Sequence, residues 1–292
     1  MDGALDDNGV VEATAESPRE RFARIAAAPD REIDLDEAAL WIAAEEYPGL
    51  DVRAYLARLD ALASAAASGL SQVHGAAERA ARLNHILFVE VGFAGNRTDY
   101  YDPRNSYLCD VLDRKTGIPI TLAIVYMEVA RRLGMDVRGI SFPGHFLVKW
   151  VDDAGAREVV VDPFSGTTLR PEDCHARLAQ ASGGALVLRP ELHLRAASRR
   201  EILVRMLANL KHVFVSRRDF GRALACCERV LLLLPDAPLE LRDRGLILEQ
   251  LACFAAAASD LDRFLWLAPD DPSADAIRAR RDALRTRVGR PH

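Results

Sequence analysis

The stretch SFPGHFLVKW (residues 141–150), followed closely by EVVVDPFSG (158–166), sets the architecture of the middle of the chain. In both segments bulky apolar residues alternate with their neighbours, and this period of two is typical of β-strands. The residues between them include DDAG (152–155), which predicts a four-residue hairpin turn. The sequence therefore predicts two antiparallel strands, with His145 on the first and Asp162 on the second.

The apolar faces of these two strands predict how the strands pair. Matching the faces sets Phe146 opposite Val161 and places His145 directly opposite Asp162. Directly opposed residues have Cβ atoms about 4.5 to 5.5 Å apart, which lets an imidazole hydrogen-bond a carboxylate. A slip of the register by two residues would still keep both side chains on one face of the sheet. We therefore expect a contact between His145 and Asp162.

Helices are predicted before the strands. The segments DEAALWIAAEEYP (36–48) and DVRAYLARLDALASAAAS (51–68) carry apolar residues at helical spacing. The later segment GIPITLAIVYMEVARRLG (117–134) is apolar almost all round, places Pro119 in its first turn and ends on basic residues and a glycine. This last segment therefore predicts a helix that is buried on all sides.

The C-terminal third contains an internal repeat. DFGRALACCERVLLLLPDAP (219–238) aligns with CFAAAASDLDRFLWLAPDDP (253–272) at an offset of 34 residues, which is the tetratricopeptide period. The helical segments 203–217 and 239–251 precede these two and supply the first helix of each unit. A last helix over 273 to about 287 is predicted to cap the stack.

Composition limits the possible partners and location. The chain has 292 residues and a net charge of −5, without the concentrated basic patch that a nucleic acid or an anionic membrane requires. Residues 1–18 are acidic and poor in large apolar side chains, and they are predicted to be disordered. They do not show the basic residues followed by an apolar run that mark a secretory signal. The five cysteines have no metal-ligand spacing and predict free, mostly buried thiols. We therefore expect a cytoplasmic protein.

Several separated motifs carry a resemblance to a known family. Residues 100–150, from YYDPRNSYLCDVL to GHFLVKW, together with VDPFSGTTL (161–169), resemble the SirB-one family of bacteria. RMLANLK (205–211) and LELRDRG (239–245) are similar to that family too, so the resemblance covers about residues 36–288. It implies a transglutaminase-like core followed by tetratricopeptide repeats.

The implied fold class is α+β. It combines a transglutaminase-like (papain-like) core, which has a short antiparallel sheet, with an all-α tetratricopeptide-repeat domain. The expected organisation is a disordered N-terminus (1–18), a transglutaminase-like domain with N-terminal helices (19–194) and a helical repeat domain (195–292).

The resemblance also implies which residues form the site. Active transglutaminase-like enzymes use a cysteine at the start of the buried helix, a histidine and an aspartate. His145 matches the histidine and Asp162 the aspartate, but the cysteine position falls on Pro119. Cys109 belongs to a different predicted helix. Thr121, two residues beyond the vacant position, is the candidate for a nucleophilic hydroxyl, although a threonine in a first helical turn usually bonds local backbone.

The pair is open to three functional interpretations. In the first, His145 and Asp162 are a buried structural pair. In the second, they line a cleft that binds a ligand without turnover. In the third, His145 is the base of an enzyme and Asp162 orients it. We favour a cytoplasmic binding or regulatory protein that acts through its cleft and repeats and is not a conventional cysteine-dependent transglutaminase or protease. The alternative is an amide or peptide hydrolase, or an acyl transferase, with an unconventional nucleophile.

No cofactor or metal is expected, because His145 and Asp162 offer only two ligands and His175 lies on a separate predicted helix. The expected partner is a protein or peptide, bound by the repeats or the cleft. Within RDRG, Arg242 and Arg244 predict either ion pairs on a helix surface or an arginine-lined peptide groove. The repeats are expected to dock on the core.

Overall fold

The structure is a computed structural model that describes residues 16–151 and 158–288. The predicted DDAG turn and residues 1–15 lie outside these ranges. The end of the segment predicted as disordered is ordered, however. Ser17 caps the first helix, with its hydroxyl accepting from the Glu20 amide and the Glu20 carboxylate accepting from the Ser17 amide. The prediction of disorder is therefore wrong for residues 16–18, because this capping box fixes the chain there.

Helices account for most of the described chain. Their bounds are α1 (Pro18–Ala27), α2 (Leu35–Glu46), α3 (Val52–Leu70), α4 (Ala76–Asn84), α5 (Leu108–Arg114), α6 (Pro119–Arg132), α7 (Pro171–Ser182), α8 (Pro190–His193), α9 (Arg199–Ser216), α10 (Phe220–Leu233), α11 (Pro238–Gln250), α12 (Phe254–Leu267) and α13 (Ala274–Val288). A π-helical turn, His85–Glu90, continues α4.

The strands form two small sheets. Their bounds are β1 (Ala94–Gly95), β2 (Thr116–Gly117), β3 (Val137–Ile140), β4 (Leu147–Trp150), β5 (Val159–Asp162) and β6 (Thr167–Leu169). β1 and β2 pair in parallel, and the other four strands form an antiparallel sheet in the order β3-β4-β5-β6. The predicted α+β class is confirmed.

The register between β4 and β5 differs from the prediction by two residues. Val148 lies opposite Val161, whereas matching the faces had set Phe146 there. The reason is a turn before the strand, in which the His145 amide donates to the Phe142 carbonyl at 3.0 Å, so that β4 begins only at Leu147. A slip of two residues keeps every side chain on its predicted face.

Both faces of the antiparallel sheet are covered, and the two faces belong to separate clusters of apolar residues. One face joins the main core through Phe146, Val148, Trp150 and Val161, and this core includes the apolar side chains of α6. On the other face, Leu147 and Val160 pack with Cys174 and Leu178 of α7. Every residue from Pro119 to Ala130 is buried, so the prediction of a helix buried on all sides is confirmed.

The C-terminal helices form the predicted repeats. α9 and α10 make one antiparallel pair, α11 and α12 make the second, and α13 packs on α12. Within the second unit, Arg244 binds Asp260 through two hydrogen bonds of 2.6 and 2.7 Å, and Arg242 bonds its neighbour Asp243. The ion-pair alternative therefore describes these two arginines.

The first repeat docks on the core, as expected from the sequence. Apolar residues of α9 and α10 belong to the same buried cluster as those of α1, α2 and α6. The Arg200 guanidinium at the start of α9 donates to three backbone carbonyls: Ala26 at 2.8 Å, Ala28 at 2.6 Å and Leu233 at 3.1 Å. Since these carbonyls belong to the ends of α1 and α10, one side chain joins the three helices.

The cysteines are unpaired thiols. Cys109, Cys174, Cys226 and Cys227 are buried and Cys253 is exposed, which confirms the prediction of free, mostly buried thiols. Within residues 16–151 and 158–288, no helix combines the length and the apolar character needed to cross a bilayer.

Candidate functional site

His145 and Asp162 are in contact. The imidazole Nε2 lies 2.7 Å from Oδ1 of Asp162. His145 lies in the turn before β4, which Gly144 shapes with a positive φ of 70°, and Asp162 is the last residue of β5. The structure therefore brings the two predicted residues together, as diagonal rather than directly opposed neighbours.

Four donors surround the Asp162 carboxylate, which is fully buried at 0% exposure. Oδ1 accepts from His145 and from the Phe164 amide at 2.9 Å. Oδ2 accepts from the Ser165 hydroxyl at 2.7 Å and lies 2.7 Å from Nη2 of Arg177. Because every donor favours the ionised form, the carboxylate can remain charged inside the fold.

The charge state of Asp162 fixes the histidine tautomer. Burial raises the pKa of Asp162, but the hydrogen bond and charge of His145, the Ser165 hydroxyl and the Arg177 charge together hold that pKa below its ordinary value. An ionised carboxylate only accepts hydrogen bonds, so Nε2 of His145 carries the hydrogen. In the neutral form of the imidazole the unprotonated nitrogen is then Nδ1, and the side chain is 16% exposed.

Sequence reasoning missed Arg177. It lies on α7, and that helix packs on the side of the sheet that carries His145 and Asp162. Its guanidinium balances the charge of Asp162, whereas in a Cys-His-Asp site the aspartate stabilises the histidine's charge during reaction. No spacing motif links an arginine on a later helix to a strand end, so only the tertiary packing reveals this ion pair.

Thr121, the predicted hydroxyl nucleophile, hydrogen-bonds backbone groups at the start of α6. It is fully buried. Its Oγ1 donates to the Asn105 carbonyl at 2.7 Å and accepts from the Ile118 amide at 3.2 Å. No hydrogen bond joins Thr121 to His145 in the described chain, and Pro119, which begins α6, has no side-chain nucleophile.

The buried thiols are poorly suited to attack. Cys109 belongs to α5, and burial raises the pKa of its thiol to about 12. Cys174 of α7 lies in the apolar cluster between the sheet and α7, and burial raises its pKa as well. Both thiols therefore stay protonated near neutral pH, and the thiolate is the reactive form.

Ser165 and Ser141, the two serines near His145 and Asp162, already form hydrogen bonds to other side chains. The Ser165 hydroxyl bonds Asp162 and lies 2.7 Å from Oγ1 of Thr167. The Ser141 hydroxyl accepts from Nη1 of Arg205 at 3.2 Å. Across residues 16–151 and 158–288, Asp162 is the one side chain that hydrogen-bonds the His145 imidazole.

A row of aromatic rings connects the site to the first repeat. The His145 ring meets Phe164 edge-on at 5.9 Å, and Phe164 meets Tyr100 at 6.1 Å. Tyr100 contacts Tyr101 at 5.4 Å, and Tyr101 contacts His212 of α9 at 5.8 Å. We call these five residues the aromatic row. It forms a continuous series of ring contacts from His145 to the first repeat helix.

The Phe164 ring packs directly against the backbone of a glycine. A Cβ atom built on Gly95 of β1 would lie 2.4 Å from the Phe164 ring, so only glycine permits this approach. The guanidinium of Arg97 stacks over the same ring, 5.2 Å from its centroid. No sequence pattern signals either contact, because both join residues that are distant along the chain.

The described residues offer no group of three or more histidine, cysteine or acidic side chains that could hold a metal ion. His175 lies on α7, with its Nδ1 3.0 Å from the Pro171 carbonyl.

Comparison with known proteins agrees with this architecture. The transglutaminase-like superfamily matches residues 53–208, and a tetratricopeptide-repeat family matches residues 210–282. A UPF0162 protein of Xylella fastidiosa is 39% identical over 263 residues, which cover 87% of this chain and 91% of that protein. Protein SirB1 of Salmonella typhimurium is 29% identical over 221 residues, covering 76% and 81% of the two chains.

A shorter similarity reaches a mammalian protein. F-box only protein 21 of the mouse is 33% identical over 135 residues, which make up 44% of this chain and 20% of that protein. The bacterial similarities extend over both parts of the fold. The chain therefore belongs to the SirB-one family of the transglutaminase-like superfamily, with tetratricopeptide repeats after the core.

Proposed function

We propose that the protein is a non-covalent binding or regulatory protein that holds a protein or peptide in the cleft at His145. One observation carries this proposal: His145 and Asp162 are 2.7 Å apart, yet no thiol or hydroxyl of the described chain hydrogen-bonds the imidazole. A nucleophile must lie within hydrogen-bond reach of its base for the proton to be taken. The proposed base and orienter therefore have no attacking atom within hydrogen-bond reach among residues 16–151 and 158–288.

The same geometry suits binding. The unprotonated Nδ1 of His145 accepts a hydrogen bond, and a peptide N–H supplies the matching donor. The aromatic row adds apolar contact area beside this acceptor, between the core and α9. Against the effect of burial, the hydrogen bond and charge of His145, the Ser165 hydroxyl and the Arg177 charge hold the pKa of Asp162 below its ordinary value, so the carboxylate continues to orient the imidazole when a ligand arrives.

Tetratricopeptide repeats commonly bind proteins, and the match to that family supports the choice of partner class. We place this activity in the cytoplasm because the described chain has free thiols, four of them buried, and no disulfide bond. Separating host cells into fractions and detecting the native protein tests this location.

The competing hypothesis is an amide or peptide hydrolase, or an acyl transferase, in which His145 is the base and Asp162 orients it. The short contact between the two residues favours it. Thr121 is the hydroxyl nucleophile that the sequence offers to such an enzyme, but its contacts are those of a helix cap.

An electrophilic acyl probe separates the two functions. Wild-type protein and a His145→Ala variant are incubated with an acyl phosphate, and covalent adducts are located by mass spectrometry of the intact chain and its peptides. The binding proposal expects no adduct that depends on His145. A single adduct that disappears in the folded His145→Ala variant would establish the enzyme instead.

A further inference from the structure

A groove lies on the repeat side of the turn that carries His145. Its volume is about 440 Å³, and its walls are the turn before β4, the segment around α8 and one face of α9. The residues that give the groove its chemical character are Ser141, Pro143, Leu192, Val204, Arg205 and Leu234. Ser141 and Pro143 precede His145 by four and two residues, so the groove borders the turn that carries His145.

The groove presents aliphatic side chains to solvent. Leu192 is 55% exposed and Leu234 is 39% exposed, and Val204 of α9 packs partly buried against the main core. Clustered exposed aliphatic residues mark an interaction surface more often than scattered ones do. The groove can therefore cover the aliphatic side chains of a ligand.

The groove has a net positive charge. Its acidic residue, Glu201, is paired with Arg195 through two hydrogen bonds of 2.6 and 3.0 Å. Arg205 donates to the Ser141 hydroxyl, but it forms no ion pair with any residue of 16–151 or 158–288. A guanidinium has five N–H donors, so most of those on Arg205 remain available to a carboxylate.

Arg205 also lies close to the turn that carries His145, because its Nη1 is 3.2 Å from the hydroxyl of Ser141. Burial raises the pKa of Tyr100, and the charge of Arg205 acts on it in the opposite direction. Tyr100 is two contacts away from His145 through Phe164. A ligand bound to Arg205 is thereby placed near this turn rather than on a remote part of the repeats.

We propose that this groove binds an acidic segment of a protein partner, with aliphatic side chains of the segment on Leu192, Val204 and Leu234 and an Asp or Glu carboxylate on Arg205. This inference rests on the proposed binding function and adds the chemistry of the partner. A nucleic acid is a poor candidate for this groove, because it requires many cations. The groove offers one available arginine, and the whole chain has a net charge of −5.

Peptide display tests this proposal with the full chain. Random dodecapeptides displayed on phage are selected on the immobilised protein, and the enriched peptides are labelled with fluorescein and measured by fluorescence anisotropy. We expect enriched peptides to combine Asp or Glu with Leu, Ile or Val. Arg205→Gln should weaken their binding about tenfold or more, since a charge-assisted hydrogen bond contributes about 1.5 to 3 kcal/mol.

Matched variants separate the groove from general surface effects. Leu192→Ser should weaken binding, whereas Leu239→Ser, at a leucine of α11 that is 51% exposed and outside the groove, should not. Arg53→Gln on the exposed side of α3 controls for the loss of one positive charge.

Three outcomes would overturn the proposal: no enriched peptide, enriched peptides that are basic, or equal binding by wild type, Arg205→Gln and Leu192→Ser. Peptides that bind these two variants normally but fail to bind His145→Ala would reject the groove and retain the cleft as the binding site.

Discussion

The Arg177 guanidinium and the His145 imidazole bind opposite oxygens of one buried carboxylate, that of Asp162. Arg177 thereby adds a positive charge, from α7, to the carboxylate that His145 also binds. The carboxylate therefore has a cationic partner besides the histidine, whereas in a triad of nucleophile, histidine and aspartate the aspartate stabilises the histidine alone.

Replacing Arg177 should destabilise the fold. In Arg177→Gln the fully buried Asp162 charge loses its ionic partner, and breaking such a buried pair costs about 3 kcal/mol. Urea denaturation at pH 7 measures the loss. Arg53→Gln, at an exposed arginine, should change the free energy of unfolding by less than about 0.5 kcal/mol. Equal stability of the two variants would show that Arg177 contributes nothing to the site.

The contribution of Asp162 to stability should depend on pH in one direction. Its pKa in the folded protein lies below the ordinary value, which is about 3.9 in an unfolded chain. The stability that the ionised form adds is therefore complete above that ordinary value and is lost as the pH falls through the folded pKa.

We therefore expect Asp162→Asn to be less stable than wild type at pH 7 and the difference to shrink below about pH 4. Urea denaturation from pH 7 to pH 3.5 measures the difference. Asp275→Asn, at a side chain that is 98% exposed, is the control and should follow wild type. If the stability difference between wild type and Asp162→Asn grows on acidification, the pKa of Asp162 in the folded protein is raised and not lowered.

Thr121 should behave as a structural residue. Thr121→Val keeps the shape of the side chain but removes the hydroxyl that bonds the Asn105 carbonyl and the Ile118 amide, which then keep only their long mutual hydrogen bond of 3.4 Å. An unsatisfied buried polar group costs about 1 to 3 kcal/mol. Thermal unfolding should show a clear loss for Thr121→Val and almost none for Thr98→Val in an exposed loop. Full retention of stability would remove the capping role and make Thr121 a reactive candidate again.

Gly95 should resist even the smallest side chain. In Gly95→Ala the new methyl group meets the Phe164 ring, and such overpacking costs about 1 to 3 kcal/mol. A Cβ atom on Gly221 of α10 would make only an ordinary contact, 3.9 Å from Oδ1 of Asp219. Gly221→Ala should therefore be neutral or stabilising, because alanine favours a helix. Denaturation curves of the two variants measure the contrast, and equal effects would contradict the close packing of Phe164 on β1.

Local patterns account for what could be predicted correctly from the sequence. The period of two around His145 predicted the strands and their faces, and the 34-residue offset predicted both repeats. The register was wrong by two residues because a turn, closed by the His145 amide and the Phe142 carbonyl, removes His145 from the strand. Alternation is identical in either register, so it cannot show where a strand begins.

Contacts between distant elements account for what could not be predicted. Arg177 reaches Asp162 from α7, Phe164 needs Gly95 from β1, and the aromatic row ends on α9. No sequence motif identifies any of these residues as part of a functional site. Their importance arises only when the sheet, α7 and the first repeat pack together.

If the site lacks only its attacking atom, a thiol placed at the vacant position should become reactive. The family resemblance places the catalytic cysteine at Pro119, the first residue of α6. Residue 119 is buried like the native thiols, but the helix end would lower the pKa of a thiol there relative to theirs. Cys253→Ser first removes the exposed native thiol and provides the background for the comparison.

The rate of alkylation by iodoacetamide is then measured for this background, for Pro119→Cys and for Pro119→Cys with His145→Ala. We predict rapid modification at residue 119, little modification of the background, and a rate at least about tenfold lower without His145, in line with the contribution of a general base. A thiol at residue 119 that reacts no faster than the buried native thiols, or equally fast without His145, would contradict a site that has kept its base and orienter.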